Sequence, residues 1–372
     1  MKLNRIARLG AVAAVAALSL TACAANETPA PSEPSAGGSE TTTLSGTVKA
    51  TGASSQGAAQ QAWTAAFQQA NGDVTVNYQP TGSGTGRDNF LAGSSNFIGS
   101  DRAYNAEELA AGGFGACATD EIVEVPAYIS PVAVVFNLPG VETLNLTPEL
   151  IGNIFNEKIE KWNDPSIAEI NEGVELPDLA VTPVFRGDAS GTTGTFTAYL
   201  ASVAPEAWPY EDADEWPVDA KRSEAAQQTS GVEATVNAGE GTIGYIDASR
   251  VGELGSAAVQ VGDDFVAFSS DAAAQLVAAS PLEEGRGEGD LVFAVDPANA
   301  PAGSYPIALV SYLIGCVEYE DAAVADIVRE YFSYIVSEEG QTAANEAAGS
   351  APLSAEVAEK AQAAIDLISA TE

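Results

Sequence analysis

Apolar positions along this chain fall into short blocks whose period switches repeatedly between two and about 3.6, the signature of strands alternating with helices. The run 44–50 reads as a strand. Ala58–Ala70 reads as a helix carrying Ala59, Trp63 and Phe67 on one face. Val74–Gln79 alternates as a second strand, Arg87–Ala92 as a short helix, and Phe97–Gly99 as a short buried strand. Ile122–Asn137 is rich in β-formers, but Pro126 and Pro131 interrupt it. Proline cannot donate to a sheet ladder, so this stretch predicts a crossing between two lobes better than one regular strand.

Thr147-Pro148-Glu149 opens a helix with a capping hydroxyl, an early proline and an acid near the positive end. Leu150, Ile151, Ile154 and Phe155 supply its core face. Val181–Phe185 is an apolar run followed by a helical pattern over Phe196–Leu200. Asp321–Val336 sets Val324, Ile327, Val328, Tyr331, Phe332 and Ile335 on one stripe, with Gly340 expected to close it. A last helix is expected from about Ser354 to Ser369. Such alternation indicates an α/β fold.

Composition narrows the function. The chain has 372 residues, of which 46% are hydrophobic, enough for two or three domains with real cores. Its 52 acidic residues against 15 basic ones give a net charge of −37. No basic stripe exists to release counterions, so nucleic-acid binding is excluded. The acidic segments Glu211–Glu215 and Leu282–Asp290 read as solvated surface, and the acidic loop Glu211–Glu215 lacks the spaced oxygen ligands and central glycine of a calcium loop. No histidine occurs anywhere, which removes Ser-His-Asp and Cys-His hydrolases and most zinc sites. No metal and no cofactor is expected.

Residues 1–22 read as a targeting segment: Lys2, Arg5 and Arg8 precede an apolar run too short to span a bilayer comfortably. Leu20-Thr21-Ala22-Cys23 resembles a bacterial lipobox, which implies a lipid anchor on Cys23. Residues 23–44 form a linker rich in Pro, Ser, Thr, Gly and Glu. In an exported protein the remaining Cys117 and Cys316 either pair or stay as two buried thiols.

Three Gly/Ser-rich turns sit at strand-to-helix junctions: Thr51–Gln56, Pro80–Gly86 and Arg186–Gly194. The first N–H groups of a helix lack internal partners and carry partial positive charge, so such turns suit a small oxyanion. None is a Walker loop, because the lysine after the glycines is missing. A fourth segment, Asn96–Asp101, puts a carboxylate at the end of a short apolar strand. Beside an anion that acid makes sense if the anion carries its own proton, as hydrogen phosphate does and sulfate does not.

These four segments, in order, resemble those of the phosphate-binding component of the bacterial phosphate-specific ABC transporter. Ile154–Pro165, Gly241-Thr-Ile-Gly-Tyr245 and Ala351-Pro-Leu-Ser354 add to the likeness. The resemblance implies a two-lobed periplasmic-binding-protein fold of type II, with the ligand cleft between lobes joined by two hinge strands. One lobe would combine 45–127 with 303–372 and the other would hold 128–302. Both remaining cysteines then belong to one lobe, which makes their pairing feasible.

Carried over by position, Ser54 and Ser55 fall on the first phosphate-binding turn and Ser83 on the second. Ser55 stands where the family commonly has an aromatic residue. Asp101 matches the acceptor of the phosphate proton, Arg186 the cation that pairs with phosphate oxygens, and Asp188 the acid that orients it. Ser190, Gly191 and Thr192 match donors at a helix N-terminus. Arg87 and Arg102 have no family counterpart and read as surface residues. The implied function is capture of inorganic phosphate outside the cell by a lipid-anchored monomer at the outer face of the cytoplasmic membrane. The phosphate would pass to the permease and ATPase complex in that membrane. Two alternatives are a receptor for another oxyanion, such as sulfate or molybdate, and a phosphatase or serine hydrolase built on Ser190.

Overall fold

The strand and helix periods are realised in an α/β chain, which the computed structural model describes from Leu44 to Glu372. The expected signal peptide, Cys23 and all but the last residue of the linker lie outside the described residues. In chain order the first elements are β1 (Gly46–Gly52), α1 (Gly57–Ala70), β2 (Val74–Gln79), α2 (Ser83–Leu91), β3 (Phe97–Ser100), α3 (Ala106–Ala111) and β4 (Ile122–Phe136). Then come β5 (Thr143–Leu146), α4 (Pro148–Phe155), α5 (Pro165–Glu169), β6 (Thr182–Arg186), α6 (Gly191–Val203), β7 (Glu224–Ala226), α7 (Gln228–Ala238) and β8 (Thr242–Asp247). The chain continues through β9 (Gly255–Val261), β10 (Asp264–Val266), α8 (Ser270–Ala279) and β11 (Ala308–Cys316). It closes with β12 (Glu318–Tyr319), α9 (Ala322–Val336), α10 (Glu338–Ala348), α11 (Ala355–Ile365) and β13 (Ser369–Ala370).

The main sheet runs β2-β1-β3-β11-β4-β8-β6-β7, with β9, β10 and β5 attached beside β4. β4 divides it into two halves. Its residues Ile122–Pro131 pair antiparallel with β11, whereas Val132–Phe136 pair with β8. β4 is one continuous strand, although Ile122–Asn137 read as a poor single strand, and it does cross from one half to the other. Its prolines sit at the irregular points. Pro126 adjoins a register shift opposite Ser311 and Tyr312, and Pro131 is the last residue paired with β11 before the partner changes. A bulge or a change of partner is where a missing N–H costs least.

Both halves are built from parallel strands, β1 with β2 and β3 in one, β6 with β7 and β8 in the other. Helices cover their faces, so β4 and β11 are buried throughout and read as apolar runs. Ligands of such sheets collect beyond the carboxyl ends of the strands. Gly52, Ser100 and Arg186 occupy those ends.

Several boundaries differ from expectation. The second helix starts at Ser83, four residues earlier than Arg87, so its first turn is the glycine-rich segment itself. Gly340 does not close α9. That helix ends at Ser337, whose hydroxyl caps α10, and Gly340 lies inside α10, where an added Cβ would come within 2.1 Å of the Tyr334 carbonyl oxygen. Cys117 and Cys316 form a disulfide across 199 residues.

Two segments read as solvated surface are not wholly so. Arg286 and Asp290 fold inward onto Glu124, which is fully buried in β4 and accepts from Arg286 Nη2 at 3.0 Å. Burial, and then the charge of Asp290, push the Glu124 carboxyl well above its usual value. Asp214, within the acidic loop 211–215, is the second exception and belongs to the site.

Candidate functional site

Backbone contacts first bring the four segments together. Gly82 N–H donates to the Gly52 carbonyl at 2.8 Å, which sets the second turn against the first. Gly82 takes φ +99°, and a Cβ there would lie 2.5 Å from Asp188 Oδ2, so this approach needs glycine on both counts. Across the two halves, Gly84 N–H donates to the Ala189 carbonyl at 3.1 Å. A Cβ on Gly191 would meet Asp101 Cβ at 2.5 Å. The N-termini of α2 and α6 therefore meet beside Asp101.

Asp101 is the hub of this arrangement. Its Oδ1 accepts from Ser55 Oγ at 2.5 Å and from Ser311 Oγ at 2.6 Å, and its Oδ2 accepts from Thr192 Oγ1 at 3.1 Å. Its own backbone N–H donates to Ser83 Oγ at 3.1 Å. Burial raises the Asp101 pKa above the usual carboxylate value, while the three hydroxyls and the Arg186 charge pull it back. Three donors bonded to the charged form favour an ionised acceptor.

Arg186 is 2% exposed and is locked by Asp188: Nε donates to Oδ1 at 2.8 Å and Nη2 to Oδ2 at 2.5 Å. Asp188 Oδ1 also accepts the Gln228 backbone N–H at 2.9 Å. This leaves Arg186 Nη1 without a protein partner among the described residues. Arg186 N–H donates to the Tyr245 hydroxyl at 3.2 Å, and that hydroxyl lies 2.8 Å from Thr193 Oγ1. The Tyr245 ring stacks on Phe196 with centroids 4.4 Å apart. One aromatic residue thus fixes the strand end and the first turn of α6 together.

The remaining candidates divide by what their hydroxyls do. Ser190 caps α6 by accepting Thr193 N–H at 3.3 Å, and Ser83 accepts Asp101 N–H, so each retains its own hydrogen for a ligand. Gly191 and Thr192 contribute first-turn amides of α6, and Ser83 one of α2. The Ser55 hydroxyl is committed to Asp101 and acts through it. Ser54 bridges the two halves: its Oγ lies 2.9 Å from Thr229 Oγ1 and accepts Thr229 N–H at 3.1 Å.

Arg87 is not the surface residue that the sequence suggested, and Arg102, half-buried, joins it in one ion-pair cluster. Arg87 is buried and pairs with Asp214, whose Oδ2 also accepts from Arg102 Nε at 2.9 Å. The Asp214 carbonyl in turn accepts Ser190 N–H at 2.9 Å. Two cations of the β1 half therefore grip one acid of the β6 half directly behind the Arg186–Gly194 turn. A cleft of about 1070 Å³ opens beside this grip, with Asp101, Arg102, Tyr199, Asp214 and Arg286 in its wall.

Sequence reasoning assigned no role to Ser311, Thr229, Gln228, Tyr245 or Asp214. Ser311 lies inside an apolar strand with no glycine-rich context. Its one visible oddity is a small polar side chain in a strand of aliphatic and aromatic residues from Ala308 to Ile314.

Known proteins resemble this chain in sequence and in fold. A sequence profile described as a PBP superfamily domain covers residues 37–339. The phosphate-binding protein PstS 3 of Mycobacterium tuberculosis is 32% identical over 345 residues, spanning 89% of this chain and 90% of the relative. The chain belongs to the PstS family of phosphate-binding proteins. PstS2 of Mycobacterium bovis is 30% identical over 382 residues, 99% of this chain and 100% of its own. Among solved structures, a high-affinity periplasmic phosphate-binding protein bound with phosphate (PfluDING) superposes with a TM-score of 0.69 at 20% identity. It covers 85% of this chain and 93% of its own. A phosphate-binding protein from Stenotrophomonas maltophilia gives 0.66 at 21% identity, over 86% and 93%. These likenesses establish the two-lobed binding-protein fold of the PstS family. The family is one of substrate-binding proteins.

Proposed function

We propose that this chain captures inorganic phosphate outside the cell and delivers it to an ABC-type import permease and its ATPase, without transforming it. The anion would sit where the N-termini of α2 and α6, the hydroxyls of Ser83 and Ser190, and Arg186 face Asp101. The turn of Ser54 and Ser55 completes the ring through its backbone. The lobes would be 45–127 with 303–372 and 128–302, hinged at β4 and β11. The change of β4 partner after Pro131 supports that division. Residues 1–22 would direct export and Cys23 would carry the lipid, with a single copy held at the outer face of the membrane.

One observation carries the reading: a buried carboxylate stands inside a ring of anion-binding donors. A site for a fully deprotonated anion would place two negative charges together with no hydrogen between them. A site for hydrogen phosphate gains a charge-assisted hydrogen bond from the same carboxylate. Calorimetric titration of phosphate-stripped protein tests it. Phosphate and arsenate should bind one to one with high affinity, while sulfate should bind far more weakly. Equal binding of sulfate would overturn the assignment.

A further inference from the structure

We infer that Ser311 on β11, held by Gln56, is a positioning residue that keeps Asp101 an acceptor and so sets the preference for a protonated oxyanion. This rests on the phosphate reading above and adds a residue from outside the anion-binding turns.

Hydrogen-bond directions converge on Asp101. Gln56 Nε2 lies 3.1 Å from the Tyr312 carbonyl oxygen, which can only accept, so the amide nitrogen of Gln56 must face that way. The same nitrogen lies 2.6 Å from Ser311 Oγ. Ser311 therefore accepts from Gln56, and its single hydrogen is free to go to Asp101 Oδ1, 2.6 Å away. The chain extends backwards with the same polarity. Gln60 Nε2 donates to Gln56 Oε1 at 2.8 Å, and Tyr331 donates to Gln60 Oε1 at 2.9 Å. Gln56, Gln60, Ser311 and Tyr331 are all buried, so every donor in the relay points toward Asp101 in a dry interior.

Lone-pair counting then gives the consequence. A carboxylate oxygen offers about two acceptor sites. Oδ1 fills both with Ser55 and Ser311, while Oδ2 fills one with Thr192 and keeps one for a ligand hydrogen. The charged and titratable groups near Asp101 are Arg186 from β6, held by Asp188, and Tyr78 from β2, whose hydroxyl bonds the Ala53 carbonyl. Arg87 from α2 donates to the neighbouring Ser100, and Arg102 turns away to Glu108 and Asp214. None of these neighbours donates a hydrogen bond to Oδ1. Ser311 and Ser55 carry that task alone among the described residues.

The test uses the full chain, stripped of phosphate, with Ser311→Ala and Ser311→Thr. Phosphate affinity is measured from pH 4.5 to 8.5, with sulfate as competitor. Because phosphate itself titrates in this range, each variant is read against wild type, in which that titration is identical. Losing one hydroxyl bond to a charged acceptor should shift the acidic limb of Ser311→Ala upward by about one pH unit. The phosphate-to-sulfate ratio near pH 5.5 should fall about tenfold. Ser311→Thr should superimpose on wild type. An alanine variant with the wild-type pH profile and ratio, whatever its absolute affinity, would overturn the inference while leaving the phosphate reading intact. Failure of wild type to bind phosphate would overturn both. If Ser311→Ala does not fold, infrared spectra of the wild type decide. The Asp101 band, identified by its loss in Asp101→Asn, should be that of a carboxylate at pH 6, and a protonated carboxyl band there would contradict the inference.

Discussion

Thr192 Oγ1 donates to Asp101 Oδ2 at 3.1 Å, and this single bond joins the first turn of α6 in one half of the sheet to the end of β3 in the other. The contact makes the proposed proton acceptor part of the interface between the halves. On the proposed reading, ligand recognition and closure share these groups, and a ligand touching both halves favours the state in which they meet.

Arg186 should be the largest single contributor to affinity. Arg186→Ala removes the cation and leaves Asp188 buried without its bidentate partner. Such truncations cost roughly 2–5 kcal/mol, or about 30-fold to several thousand-fold in dissociation constant. Calorimetry with phosphate measures this directly, and affinity near that of wild type would show that the pocket has been assigned to the wrong residues.

Asp214 should govern how fast ligand leaves. Asp214→Ala strands Arg87, whose side chain is 7% exposed, and removes the grip behind Ser190. Removing one partner of a buried pair is strongly destabilising to the state that contains it. The dissociation rate in stopped-flow fluorescence should rise at least about tenfold, with the association rate changed far less. An unchanged dissociation rate would mean that the pair does not distinguish closed from open.

Gly84 should limit how closely the halves approach. A Cβ at this position would lie 2.4 Å from Ala189 Cβ and 3.0 Å from the Ala189 carbonyl oxygen. Gly84→Ala should weaken phosphate binding by about 1–3 kcal/mol, the usual cost of overpacking. Small-angle scattering should show a smaller contraction on adding phosphate than in wild type. Identical contraction and affinity would rule this out.

Asp247 should impose a pH dependence on stability that is separate from binding. It is fully buried at the end of β8 and accepts from the Tyr128 hydroxyl at 2.9 Å and from Ser249 N–H at 3.0 Å. Burial outweighs these bonds and pushes its pKa up to about 6. The folded state therefore binds this proton more tightly than the unfolded chain, whose aspartate titrates near ~3.9. The associated stability is present below about pH 4 and is lost as pH rises to about 6, by roughly 3 kcal/mol at most. Urea unfolding at pH 4 and pH 7 should show wild type losing ground against Asp247→Asn over that interval. A constant difference between the two would contradict the assignment.

The glycine-rich turns were legible in the sequence because a backbone approach to an anion demands small residues, and Gly82, Gly84 and Gly191 each make a contact that a Cβ would block. Asp101 alone read equally well as a turn residue pairing with Arg102, and only its place beside the glycine-rich turns and the family resemblance singled it out. Ser311 was not legible, because a lone serine in an apolar strand gains its meaning only from Asp101, 210 residues away. Arg87 and Asp214 were misread together. Each is an ordinary charged residue in its own segment, and burial became affordable only once they met across 127 residues. The prolines of β4 misled in the opposite sense, since the partner change and register shift that accommodate them are tertiary features.

The central claim is that an ionised Asp101 accepts the proton of its ligand, and Asp101→Asn tests it most directly. Phosphate and sulfate are titrated into wild type and variant at one pH and one ionic strength. The account predicts that the variant loses discrimination against sulfate by a larger factor than it loses phosphate affinity. Equal losses for both anions, leaving the ratio as in wild type, would contradict it.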